Sequence, residues 1–169
     1  MTLTIKTILV PTDFSEHSEG ALDYAVALAA QFKAALHLVH VYPLPSLAAA
    51  AMDGAIVSLP ELEAEMRTAA ETAMAKLVAR ISGVPVSTEI AVGNPPACIV
   101  AVAAERGVDL IVMGTHGRGP FMHLMLGSVA ERVVRMAPCP VLTTRQPKLA
   151  ATRPAPAGVL AQSLASAVL

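Results

Sequence analysis

The sequence predicts an α/β fold: a three-layer, open five-stranded parallel sheet with helices on both faces. Three observations carry this. Short apolar, β-branched runs alternate with longer segments of helical periodicity in the order β-α-β-α-β-α-β-α-β, and strands separated by helices imply parallel pairing. The chain has 169 residues, a length that suits one domain of roughly 100–200 residues. Hydrophobic residues make up 54% and aromatics only 3%, so the core is Ala, Val and Leu, and Ala-rich segments favour helix.

The first strand is Ile5 to Val10, IKTILV, ended by Pro11. After the loop PTDFSEHSEG, Ser18 is placed to cap a helix reaching about Phe32, with Leu22, Ala25, Val26, Ala29 and Ala30 at helical spacing. Ala35 to Tyr42, ALHLVHVY, is the second strand. Its alternation puts Leu36, Leu38 and Tyr42 on one face and His37, Val39 and Val41 on the other. Pro43 to Pro60 is longer than the usual connection. Glu61 to Ile81 reads as a long amphipathic helix with Leu62, Met66, Ala69, Ala73, Leu77 and Ile81 on its apolar stripe.

Val84 to Val92 is the third strand. Asn94 then caps a helix with Pro95 in its first position, running to about Arg106 before Gly107. Val108 to Met113 is the fourth strand. A glycine-bearing loop follows, then a helix from about Val129 to Met136 and a fifth strand, Pro140 to Arg145. Residues 1–146 form the domain. The Pro- and Ala-rich residues 147–169 form a tail, either disordered or carrying a short helix whose stripe is Val159, Leu160, Leu164 and Val168.

Composition excludes several classes. A net charge of −1 gives no basic footprint for nucleic acid. There is no apolar run of roughly 18 residues and no signal peptide, so the chain reads as free of the membrane and cytoplasmic. Cys98 and Cys139 sit in no CxxC motif, which fits a reducing cytosol. His37, His40, His116 and His123 have no zinc-site spacing and read as packing or polar residues.

In an open α/β sheet, ligands bind beyond the carboxyl ends of the strands, where strand order reverses. The loop after the fourth strand, MGTHGRGPFMHLMLGSV, lies at such an end. Its glycines let phosphate oxygens approach backbone N–H groups, and the following helix start adds unpaired donors and a positive dipole end. Ser128 and Glu131 also have capping-box spacing, so the Ser128 hydroxyl has two candidate roles, cap and phosphate ligand. Three familiar signatures are missing. There is no P-loop, no GxGxxG after the first strand, and no SGGxDS-like loop of the pyrophosphate-releasing adenylation enzymes.

What is present is Gly114-x2-Gly117-x9-Gly127-Ser128. This resembles the nucleotide-binding pattern of the universal stress protein family. The segments ILVPTDFSEHS, HLVHVY, VGNPP, DLIVMGTHGRG and LGSVAERVVRMAPCPVL extend the resemblance from Lys6 to Arg145. It implies an adenine nucleotide alpha hydrolase-like, Rossmann-like domain that binds ATP, with Mg²⁺ alongside. Pro11, Thr12 and Asp13 would lie near adenine and ribose, the carboxylate accepting from ribose hydroxyls. Val41 would pack near the adenine. Met113, Gly114, His116 and Gly117 would line ribose and phosphates. Gly127, Ser128 and Val129 would hold the phosphates. Arg118 is either a further charge for the triphosphate or a solvated loop residue.

The resemblance also implies a homodimer. The fifth strand is a β-branched sheet edge, and such edges pair with other chains, so residues 140–145 are the expected interface. The implied role is a regulatory, stress-response module, with slow ATP hydrolysis as the upper limit of any activity. Asp13, Ser15, His17 and Ser18 lie close in sequence, but no GxSxG elbow accompanies them, and capping by Ser15 or Ser18 accounts for the serines. The alternative is a nucleotide-free dimeric interaction protein of the same fold; its relatives carry a degraded glycine pattern, whereas here the pattern is intact.

Overall fold

The computed structural model describes residues 4–43, 59–115 and 127–145. Within them the order is β1 (Thr7–Pro11), α1 (Glu16–Phe32), β2 (Ala35–Tyr42), α2 (Leu59–Val78), β3 (Val86–Val92), α3 (Pro95–Glu105), β4 (Leu110–Gly114), α4 (Ser128–Met136) and β5 (Val141–Thr144). The strands form one sheet in the order β3-β2-β1-β4-β5, every neighbouring pair parallel. The expected α/β class and the strand count are those observed. Most of the 43–60 connection, the loop 116–126 with His116, Gly117, Arg118 and His123, and the tail 147–169 lie outside the described residues.

Burial follows from the period of two along each strand. Ile8 and Val10 of β1, Leu36 and Leu38 of β2 and Val112 of β4 pack with Ala21, Leu22, Ala25 and Ala29 of α1 and Met74 and Leu77 of α2. The intervening residues Leu9, Val39, Ile111 and Met113 face the opposite way. They pack with Ile99, Val102 and Ala103 of α3 and Ala130 and Val133 of α4. This two-sided burial is why the central strands read as continuous apolar runs.

Three local expectations are corrected. Ser15, not Ser18, caps α1: its side chain accepts from the Ser18 N–H, while Ser18 itself is buried inside the helix's first turn. Phe14 takes a left-handed φ of 59°, which turns the chain three residues earlier than periodicity suggests. Ser128 is not the cap of α4. Gly127 holds that position with no side-chain bond, so the capping box is not formed. On α2 the buried residues are Ala70, Met74 and Leu77, while Ala69 is exposed. The stripe is thus rotated by about one residue, because α2 packs at the rim of the sheet beside β3.

No helix among the described residues is long and apolar enough to cross a membrane.

Candidate functional site

Strand order reverses between β1 and β4: β2 and β3 lie on one side, β5 on the other. At the amino ends this junction is tied shut. Asp109 Oδ2 accepts from the Lys6 and Thr7 N–H groups at 2.8 and 2.9 Å, and the Asp109 N–H donates to Thr7 O. At the carboxyl ends it opens. The β1–β4 ladder pairs Ile8 with Leu110 and Leu9 with Ile111 and stops there. Pro11 explains the stop. The Thr12 N–H points to β2, donating to Val39 O at 2.9 Å, so position 11 faces β4, and proline has no N–H to offer. The crevice of the fold therefore begins at Pro11.

The loop after β1 is rigid by construction. Asp13 Oδ1 accepts from the Ser15 N–H at 3.1 Å and the Ser15 hydroxyl at 2.6 Å. Thr12 Oγ1 accepts from the Phe14 N–H and meets the buried Ser18 hydroxyl at 3.1 Å. From β2, the His40 ring donates through Nδ1 to Thr12 O at 2.7 Å, and its centroid lies 4.4 Å from that of Phe14. The Asp13 carboxylate is thus fixed at the mouth of the junction by the residue two places on.

On the other side of the junction, β4 ends at Gly114, and Thr115 continues the ladder by donating from its N–H to Thr144 O. Thr115 O in turn accepts from the Gly127 N–H at 2.6 Å. This bond brings the two ends of the glycine loop together and sets the start of α4 at the carboxyl edge of the sheet. The first turn of α4 there has no side-chain cap. Its donors and its dipole end are those of an anion site. Gly127 has φ −68°, which any residue adopts. Backbone strain therefore does not account for its glycine identity.

Of the residues singled out in the sequence, Pro11, Thr12, Asp13, Met113, Gly114, Gly127, Ser128 and Val129 come together around this junction, with Val41 one strand away. Ser128 is exposed, and Val41 and Val129 are half-buried against the α3/α4 core. Met113 is buried, its side chain in the core, so it meets the crevice through its backbone. Four residues that position the site were missed. Phe14 with its positive φ has no sequence signal, since it is neither Gly nor Asn. Thr115 and Ser18 act through long-range or buried bonds. His40 was legible only as a packing or polar residue of the second strand.

A second polar cluster lies away from the junction, between β2 and the edge strand β3. Buried His37 meets Ser87 Oγ through Nδ1 at 2.8 Å and Glu89 Oε2 through Nε2 at 3.2 Å. Glu89 also accepts from Arg106, with its shortest contact 2.7 Å. Burial, reinforced by the Arg106 charge, lowers the His37 pKa despite the carboxylate beside it. The cluster thus ties β2 to β3 and to the end of α3 through polar contacts. The Arg106 hydrogen bond holds the Glu89 carboxyl below its ordinary range. No group of three or more His, Cys, Asp or Glu residues among those described is arranged to hold a metal ion.

The chain belongs to the universal stress protein family: the family model matches residues 4–145. Universal stress protein MJ0531 of Methanocaldococcus jannaschii is 36% identical over 143 residues, covering 85% of this chain and 84% of the relative. Among solved structures, universal stress protein UspA from Lactobacillus plantarum superimposes with TM-score 0.73 at 31% identity, covering 85% of this chain and all of that one. A universal stress protein in complex with cAMP gives TM-score 0.54 at 28% identity, covering 83% and 97% of the two chains.

Proposed function

We propose that this protein binds ATP at the β1/β4 junction and works as a regulatory stress-response module of the cytoplasm rather than as a fast enzyme. One observation carries the reading: the uncapped start of α4, held by the Gly127–Thr115 bond at the sheet's carboxyl edge. Triphosphate oxygens match those N–H donors in charge and geometry. Asp13 stands ready for ribose hydroxyls, and Pro11, Thr12 and Val41 offer a wall to adenine. His116, Gly117 and Arg118 belong to the loop that joins β4 to α4 and complete the set. Mg²⁺ would arrive on the phosphates, since that ion keeps several waters and one or two carboxylates rather than a full protein cage. The solved relative that holds cAMP supports an adenine nucleotide as the ligand class.

The same reading includes a homodimer through the 140–145 edge. Among the described residues β5 has β4 as its only neighbour in the sheet. Leu142 on β5 is 38% exposed, and Val134 and Met136 of α4 are 47% and 50% exposed. An unpaired ladder flanked by apolar side chains suits strand addition by a second copy.

The test is titration of nucleotide-stripped protein with Mg-ATP, with cAMP as competitor and Gly117→Val alongside. Saturable binding that weakens in the variant is expected. No binding of either nucleotide would leave the nucleotide-free interaction protein as the better account.

A further inference from the structure

On the face of the sheet that carries α1 and α2, β5 has no helix of its own among the described residues. α1 lies mainly over β1 and β4, and α2 stands beyond, at β3. On the opposite face α4 packs with Val141 of β5. Leu142 looks to the α1 side: it pairs in register with Val112, a core residue beneath α1. It is nonetheless exposed. α1 supplies a wall for this position. Ala21, Ala25 and Ala29 are its buried face, and Glu19 stands on the flank toward α2, paired with Arg80 at 2.8 Å. At about 100° per residue, Tyr24 and Leu28 fall on the other flank, toward β5, and Phe32 continues their row at the helix end. Tyr24 is 53% and Phe32 39% exposed. The result is an apolar trough with Leu142 as floor and Tyr24, Leu28 and Phe32 as wall, where a further helix would lie about 8–10 Å from α1.

The chain that follows β5 starts beside this trough. β5 ends at the carboxyl edge of the sheet, the edge at which α1 begins. Pro147 has no N–H with which to carry the β5 ladder on. Further along, Leu160, Leu164 and Val168 recur at i, i+4 and i+8, the spacing of Tyr24, Leu28 and Phe32. Each set covers about 12 Å of helix. Residues 146–159 can span up to about 45 Å, whereas the 17 residues of α1 occupy about 25 Å, so every point of the trough is within reach. The tether also decides between occupants. A segment joined through a short linker acts at an effective concentration in the millimolar range, far above that of a second copy in micromolar protein.

We propose that residues 158–169 dock as a helix in the trough between α1 and the face of β5, with Leu160, Leu164 and Val168 against Tyr24, Leu28 and Phe32. The segment comes from the edge at which α1 starts, so it runs parallel to α1, Leu160 at Tyr24 and Val168 at Phe32. It covers the face of β5 and leaves the outer edge of that strand open. Docking is therefore compatible with strand addition there and independent of nucleotide binding.

Hydrogen exchange on the full chain tests it, with a synthetic peptide of residues 158–169 as the undocked reference. Amides of 158–169 in the protein should exchange at least about tenfold more slowly than in the peptide, equally so in dilute and concentrated protein. Tyr24→Asp and Leu164→Asp should each return them to the peptide's rate while the amides of β1 and α3 stay protected, which shows the domain still folded. Exchange of the wild-type segment at the peptide's rate overturns the proposal, and so does protection that survives Tyr24→Asp. Protection that vanishes on dilution gives the trough to a second copy and overturns it too. Photo-cross-linking from benzoylphenylalanine at position 24 is the second measurement. An adduct to Leu160 and its neighbours within one chain is expected. An adduct that joins two chains, or none to 158–169, overturns the proposal.

Discussion

Gly127 and His37 show how single residues divide between function and stability. Gly127 occupies an N-cap position in ordinary backbone geometry, where Asp would serve the helix better. Gly127→Asp should therefore stabilise the fold by roughly a few tenths of a kcal/mol or leave it unchanged, read as an unaltered or slightly raised thermal midpoint. The same carboxylate would occupy the phosphate position and abolish Mg-ATP binding. His37 acts in the other direction. Its pKa is lowered from 6.5 in the folded protein, so the unfolded chain takes up its proton first. The stability it contributes is present above 6.5 and is lost as pH falls below that value toward the folded pKa. Glu89, lowered from 4.5, extends the same loss below 4.5. Urea midpoints should fall between pH 7 and 5, and His37→Gln should flatten that limb. A slope unchanged by the substitution would remove His37 as its source. The glycine pattern was legible in the sequence because spacing is a one-dimensional signal. The His37–Ser87–Glu89–Arg106 cluster was not, because it joins residues of two strands and a helix end through register.

At the scale of elements, every described strand and helix was expected in its place, with boundaries shifted by at most three residues. The largest displacement of meaning is at α1. Two serines three apart both suit a cap; the left-handed turn at Phe14 and the Asp13–Ser15 bonds select Ser15. Ser15→Ala should cost about 1 kcal/mol of unfolding free energy, measured by urea denaturation, whereas Ser18→Ala leaves the cap intact. A greater effect of Ser18 on helical end-fraying than of Ser15 would reverse the assignment. Pro11 was expected to end its strand. It does so one residue later, and with a consequence the sequence could not show, since only the pairing to Val39 reveals which neighbour loses a donor. At β5, Leu142→Lys adds a charge to an exposed edge position and should lower the sedimentation mass from dimer toward monomer at micromolar concentration; an unchanged dimer would exclude that strand as its interface.

The whole molecule is a sheet with a tied amino edge and an open carboxyl edge at its one reversal of order. Asp109 closes the first, Pro11 releases the second, and the Gly127–Thr115 bond brings a bare helix start to the opening. These three features belong to different parts of the chain, and only the strand order β3-β2-β1-β4-β5 makes them neighbours. Alternation of strands and helices gives the class of fold but not this order, which is why the crevice could be anticipated and its construction could not. The central claim is that the crevice takes ATP through the uncapped start of α4. Isothermal titration of Mg-ATP into nucleotide-stripped wild-type protein and Gly127→Asp tests it most directly. The account predicts saturable binding to the wild type and none to a variant that melts no lower. Equal binding by both proteins, or none by the wild type, would contradict it.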